Sequence, residues 1–172
     1  MPLELEVTAA RYVLGVATGP DLVRAAEISL LAGLESVSLA CLAGETDPIL
    51  SDAGPLFESA MRELSIEIPD KNKACWDLIG HHMTRIAEKK VKPSEGVQTI
   101  MDEVYYAAGL DEQAREHGGD SHDLDQILDD FCSIGDVLEH PYGVCCEGKC
   151  GPEAAEGYLL RDAEEWLRKH GS

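Results

Sequence analysis

The amino-acid sequence predicts an all-α protein, a compact array of short antiparallel helix pairs with about seven helices and no significant sheet. Three observations carry this prediction. Apolar residues recur at helical spacing along the chain, capping residues precede most of these stripes, and β-branched residues are scattered singly rather than in alternating runs. Aromatic residues make up only 5% of the chain, so the core must be built mainly from aliphatic side chains.

The first three predicted helices lie in the N-terminal part of the chain. Pro20 stands where a helix begins, and Gly33 ends that helix after an apolar stripe. Residues 35–43 predict a short second helix. Ser51 caps a third helix, which must stop before Pro69 because the residue preceding a proline disfavours helical backbone.

The rest of the chain continues this pattern. The remaining predicted segments are, in order, a helix capped by Asp70 with an apolar face reaching Ala87, a helix over 94–109, a solvent loop over 111–121, a helix over 123–138, a cysteine-rich irregular connection over 140–151, and a final helix opening at Pro152. We expect a single domain overall. Residues 1–140 form its helical core, and residues 141–172 add the cysteine-rich loop and a helix packed on the same domain.

The net charge of −19 restricts the class of partner. It arises from 33 acidic residues against 14 lysines and arginines, and residues 111–140 hold ten carboxylates against one cation, Arg115. Such a surface repels phosphate backbones and attracts basic proteins, so double-stranded nucleic acid is an unfavourable partner. No apolar run approaches the ~18 residues of a membrane span, and the acidic start does not resemble a secretory signal, so a cytoplasmic location is expected.

Two segments near the N-terminus carry a family resemblance. Residues 21–43 (DLVRAAEISLLAGLESVSLACLA) and then residues 57–64 (FESAMREL) resemble a small all-helical bacterial family with an "ALxAGxxSxxLxxLAG" helix pair followed by "FxxAxxELG". Residues 92–100 (KPSEGVQTI) are similar to its "xPxEGxxxI" helix start, and residues 123–139 occupy its acidic helix. The resemblance spans about residues 15–140. It implies an all-α fold and a bacterial host, and it implies no activity.

The strongest candidate for chemistry is a cluster of His140, Cys145, Cys146 and Cys150. Three thiolates and an imidazole suit a tetrahedral zinc ion, and nearby glycines would let a tight loop wrap it. The spacing is not that of paired CxxC motifs, however, and adjacent cysteines rarely ligate one ion. Lys149 would favour a reactive thiolate, so a redox role is also open, as is a loop of free or packed thiols.

Other histidine motifs favour structural roles. The loop around His117 and His122 fails the EF-hand pattern, and its acidic residues are explained by capping of the next helix. His81 and His82 are adjacent, so they do not form the HExxH motif, and a surface pair of His81 with Asp77 is expected. No nucleophile elbow, phosphate-binding loop or dinucleotide-binding motif is present, and no catalytic residue is predicted.

A basic segment contrasts with the acidity. Six of the 14 cations fall within residues 71–92. They could form a face for nucleic acid, pack beside the acidic segment 111–140, or complement the dipole at a helix C-terminus.

Two functions remain. The first is an interaction or inhibitor (immunity-like) module for a basic protein partner, with Asp123, Asp129, Asp130 and Asp136 as its contact residues, because the apolar residues of that helix must face inward. The second is a small metal-binding or redox protein built on the cysteine cluster, with zinc as the favoured ion. A homodimer is compatible with either.

Overall fold

The computed structural model of the chain describes residues 4–108 and 152–170. Within these ranges every regular element is helical and no strand occurs, which confirms the predicted all-α class. The helices are α1 (Glu4–Val13), α2 (Gly19–Leu31), α3 (Val37–Ala43), α4 (Leu50–Glu63), α5 (Lys71–Ala87), α6 (Pro93–Ile100), α7 (Tyr106–Ala108) and α8 (Pro152–His170), with a π-helical turn at Met101–Tyr105 between α6 and α7.

Most predicted helices coincide with these elements. The exception is α1, which the sequence analysis did not predict because small alanines and alternating glutamates conceal its apolar stripe. Leu5, Ala9 and Ala10 are nevertheless fully buried. The predicted helix over residues 123–138 lies outside the described residues, as do the predicted loops on either side of it. None of the helices in the described ranges is both long and apolar enough to cross a membrane.

The described residues divide into two compact units, one up to Leu78 and one from Ile79 onward, with the boundary inside α5. In the first unit, the fully buried ring of Phe57 on α4 lies among small and aliphatic residues. Its edge is covered by the ring of Tyr12, 5.6 Å away between centroids. Buried residues around Phe57 are Leu5, Ala9, Ala17, Leu22, Val23, Ala25, Ala26, Leu39, Leu42, Ala53, Ala60 and Met61.

Four of the described helices end in the same hydrogen-bonded turn. At the end of α2, the amide of Gly33 donates to the carbonyl of Leu30 (2.9 Å), and the amide of Leu34 donates to that of Ser29 (3.0 Å). This is the Schellman motif, which requires one residue with positive φ. The positive-φ residues are Gly15 after α1, Gly33 after α2, Ser65 after α4 and Lys89 after α5. The motif reverses the chain quickly, which keeps the connections short.

The second unit packs the end of α5 against α6 and α8. A Cβ atom at Gly96 would collide with the side chain of Ile86, so α6 approaches α5 as closely as a glycine allows. The start of α6 is capped by Glu156 of α8, which accepts hydrogen bonds from the amide (2.9 Å) and the hydroxyl of Ser94. The buried apolar residues of this unit are Ile79, Met83, Ile86, Val97, Ile100, Met101, Val104, Leu159, Ala163 and Trp166.

We expect Gly33→Ala to lower the free energy of unfolding by about 1 kcal/mol, because φ is +89° there. Conversely, Ser65→Gly should raise it by up to about 1 kcal/mol, because φ of Ser65 is +56°. Chemical denaturation of both variants measures the two effects. Gly157→Ala is the control, since its Cβ would meet no neighbour, and the exchange should stabilise α8 by about 0.5–1 kcal/mol. A Gly33→Ala variant with the same free energy of unfolding as the wild type would contradict the left-handed conformation of Gly33.

Candidate functional site

An open groove lies between the C-terminal half of α2 and α3 in the first unit. Its volume is about 640 Å³, and its lining is mainly apolar. The residues that line it are Leu30, Glu35, Ser36, Val37, Ala40 and Cys41. A cleft of this size can accept several side chains of a partner, and its openness suits a segment lying across it rather than an enclosed small ligand.

Large apolar side chains are exposed on the two helices that form this groove. Val37 at the start of α3 lines the groove and is 77% exposed. On α2, Leu31 is 89% exposed and follows the lining residue Leu30 in the chain. Single exposed aliphatic residues are ordinary, but one that lines an apolar cleft marks a candidate interaction surface.

The α2–α3 corner is held by local and tertiary hydrogen bonds. The hydroxyl of Ser36 accepts a hydrogen bond from the amide of Leu39 (2.9 Å) and so caps α3. The carboxylate of Glu63 on α4 accepts hydrogen bonds from the amide (3.1 Å) and the hydroxyl (2.5 Å) of Ser38. These bonds, chiefly the one from the Ser38 side chain, lower the pKa of Glu63 below its usual value. The groove therefore has a defined shape in the isolated chain.

The sequence around the groove has an excess of acidic residues. Residues 25–61 contain six carboxylates and no lysine, arginine or histidine, and Arg24 and Arg62 flank this segment. Glu35 lines the groove, and Glu27 is exposed on α2. Apolar surface beside an excess of negative charge is complementary to a basic amphipathic partner.

The predicted site residues fall in the part of the chain that the structure does not describe. The contact candidates Asp123, Asp129, Asp130 and Asp136 are outside the described residues, and so are His140, Cys145, Cys146 and Cys150. These predictions therefore stay predictions. In the described ranges, Cys41 is an exposed free thiol and Cys75 is a buried one. No group of three or more potential metal ligands occurs in the same ranges.

The His81–His82 pair differs from its predicted surface role. His82 is buried, and its Nε2 lies 3.1 Å from a carboxylate oxygen of Glu103. Asp77, the expected partner of His81, instead pairs with Lys73 at 2.6 Å. Sequence spacing could not reveal the contact with Glu103, because it joins residues 21 positions apart on different helices.

Glu103 lies in the π-helical turn Met101–Tyr105. A π-helical turn inserts an extra residue into a helix and so changes the direction of the side chains after it, and such turns often occur at functional sites. A histidine oriented by a carboxylate is also a common base in enzymes. Here, however, His82 is only 5% exposed. The arrangement supports a structural role.

The basic segment has local partners in the structure. Besides Lys73 with Asp77, Lys90 pairs with Glu88 at 2.6 Å and Lys92 with Glu95 at 3.6 Å. Such pairs reduce the positive potential of the segment, and the lysines at the end of α5 also complement its helix dipole. These contacts favour the structural interpretations of the segment over a face for nucleic acid.

Together these features define an all-α protein with a pre-formed apolar groove on an acidic helical unit. Comparison of the chain with protein-family models, with curated proteins and with solved structures finds no match. The resemblance to a bacterial helical family therefore remains an expectation from the residues alone.

The stability of the protein should depend on His81 between pH 4 and pH 6.5. Burial, and then the proximity of His82 and Arg85, lower the pKa of His81 from 6.5 to about 4. Between these values the unfolded chain binds a proton that the folded chain excludes. The free energy of unfolding is therefore unaffected above pH 6.5 and falls as the pH drops toward 4, by about 1–2 kcal/mol after allowance for partial exposure.

His81→Gln removes this contribution, so the difference in unfolding free energy between wild type and variant should change over that pH range. Denaturant titrations at several pH values measure it. His170→Gln, at the exposed end of α8, is the control. Parallel pH profiles for wild type and His81→Gln would contradict the expectation.

The buried contact between His82 and Glu103 should show strong energetic coupling. A double-mutant cycle with His82→Ala and Glu103→Ala should give a coupling free energy of about 1–3 kcal/mol. The reason is that each single variant leaves a buried polar group without this partner. The exposed pair of Lys73 and Asp77 is the matched control and should give less than about 0.5 kcal/mol. Equal coupling in the two cycles would show that burial adds nothing to the contact.

Proposed function

We propose that the protein is a protein–protein interaction module whose partner presents a basic surface. The observation that carries this proposal is the exposed apolar groove between α2 and α3, set in a segment with six carboxylates and no cation. Apolar contacts supply the binding free energy, and the surrounding charge selects the sign of the partner.

The charge of the whole chain supports the same proposal. A net charge of −19 raises the encounter rate with a cationic protein and opposes the approach of nucleic acid. One form of this function is inhibition, in which the module covers the cationic cleft of a nuclease. The predicted contact residues Asp123, Asp129, Asp130 and Asp136 would extend the acidic surface, and they belong to the proposal as a second contact region.

The two described thiols support a reducing cellular setting as part of the proposal. Cys41 and Cys75 are free, and free thiols persist in reducing compartments. We therefore place the module in the cytoplasm, and the family resemblance makes a bacterial host part of the proposal. The metal-binding or redox function built on the cysteine cluster gains no support from the described residues, and metal analysis of protein purified without chelators is its test.

Electrostatic steering makes the proposal testable. A photo-crosslinking residue at position 37 would capture partners in cells that express the protein, with the same residue at exposed Arg62 as the control position. The association rate of the purified partner should then fall at least about tenfold between about 0.01 M and 1 M salt, as the Debye length shrinks from about 30 Å to about 3 Å.

A variant with Asp123, Asp129, Asp130 and Asp136 all changed to Asn tests the second contact region. At low salt its association rate with the partner should be lower than that of the wild type. At high salt the two association rates should be equal. An association rate that is flat across the salt series would overturn the basic-partner proposal.

A further inference from the structure

We infer that the groove between α2 and α3 binds an amphipathic helix of a partner protein, with apolar residues on one face and lysine or arginine beside them. This inference rests on the proposed function and deepens it, because it names the surface and the kind of partner segment. Three features of the groove support it: the apolar residues of its two helices, the charge around it and its shape.

Apolar residues of both helices line the groove. Leu30 lines it from α2. Val37, Ala40 and Cys41 have the i, i+3, i+4 spacing on α3 and line the groove. An apolar stripe of this kind beside a second helix forms a groove into which an amphipathic helix places its own anchors at i, i+3, i+4 and i+7.

The corner that shapes the groove is already rigid in the free chain. Gly33 completes the C-terminal turn of α2, Ser36 caps α3, and Glu63 binds Ser38 through both the amide and the hydroxyl. The partner therefore loses little binding free energy to ordering this surface, and affinity depends on the fit of its anchors.

Charge decides between a foreign basic helix and a second copy of the chain. Glu35 lies in the groove and Glu27 beside Ile28, while no cation occurs from residue 25 to residue 61. A second copy seated here would bring like carboxylates together at an apolar interface, in a chain with a net charge of −19. Lysine or arginine on the flank of a partner helix would pair with these carboxylates instead.

The probe is a synthetic helical peptide of about 16 residues, with leucine at i, i+3, i+4 and i+7 and lysine at most other positions. We expect one peptide to bind per chain and to slow alkylation of Cys41, as followed by peptide mass mapping. The double variant Val37→Ser/Ala40→Ser changes two exposed residues that line the groove. It should weaken binding at least about tenfold, because apolar anchors dominate such interfaces.

The matched control is Ile49→Ser/Leu50→Ser, which changes two exposed apolar residues that do not line the groove. The affinity of this control for the peptide should equal that of the wild type. The midpoint of thermal unfolding should be the same for both double variants. All three proteins carry the same charge, so nonspecific attraction of the peptide cancels in the comparison. A peptide with glutamate in place of lysine should not bind.

The outcomes separate this inference from the proposed function. Equal binding to both double variants would overturn the groove as the site and leave a basic partner in place. Equal binding of the glutamate peptide would overturn the basic chemistry of the partner, and with it the proposed function. A wild-type dimer in sedimentation that Val37→Ser/Ala40→Ser dissociates would overturn the foreign helix in favour of a second copy.

Discussion

The carboxylate of Glu63 accepts two hydrogen bonds from Ser38, which join the start of α3 to the end of α4. A helix of seven residues has too few internal hydrogen bonds to be stable alone, so its place must come from tertiary contacts. Held there, α3 directs Leu39 and Leu42 into the core and Val37 to the solvent. The second unit uses the same device, because Glu156 caps the start of the eight-residue α6 through Ser94.

The helix ends impose the complementary constraint. Four helices finish in Schellman turns, which satisfy the last carbonyl groups and turn the chain within two or three residues. Two of these turns use Ser65 and Lys89 in the left-handed conformation, where glycine would be less strained. Sequence reasoning identifies a helix end at Gly33 because glycine signals it. At Ser65 and Lys89 the residue carries no such signal, and the packing of α4 and α5 determines the turn.

Charge and shape have separate roles in the functional conclusion. The net charge is a property of composition and restricts the class of partner without locating a surface. The proposed surface is the groove between α2 and α3, which combines apolar exposure with a carboxylate. The buried pair of His82 and Glu103 is the opposite case, since its polar groups satisfy each other inside the second unit and leave little surface for a ligand.

By itself the sequence determined the all-α class and the bounds of most helices, because helical periodicity and capping residues are local properties. It did not reveal α1, whose alanine-rich stripe resembles a polar segment until packing buries it. Only the tertiary structure decided that Leu31 and Val37 stay outside the core while equally apolar residues nearby are buried. It also decided that His82 meets Glu103 rather than a residue on its own helix, because such contacts depend on how distant segments pack.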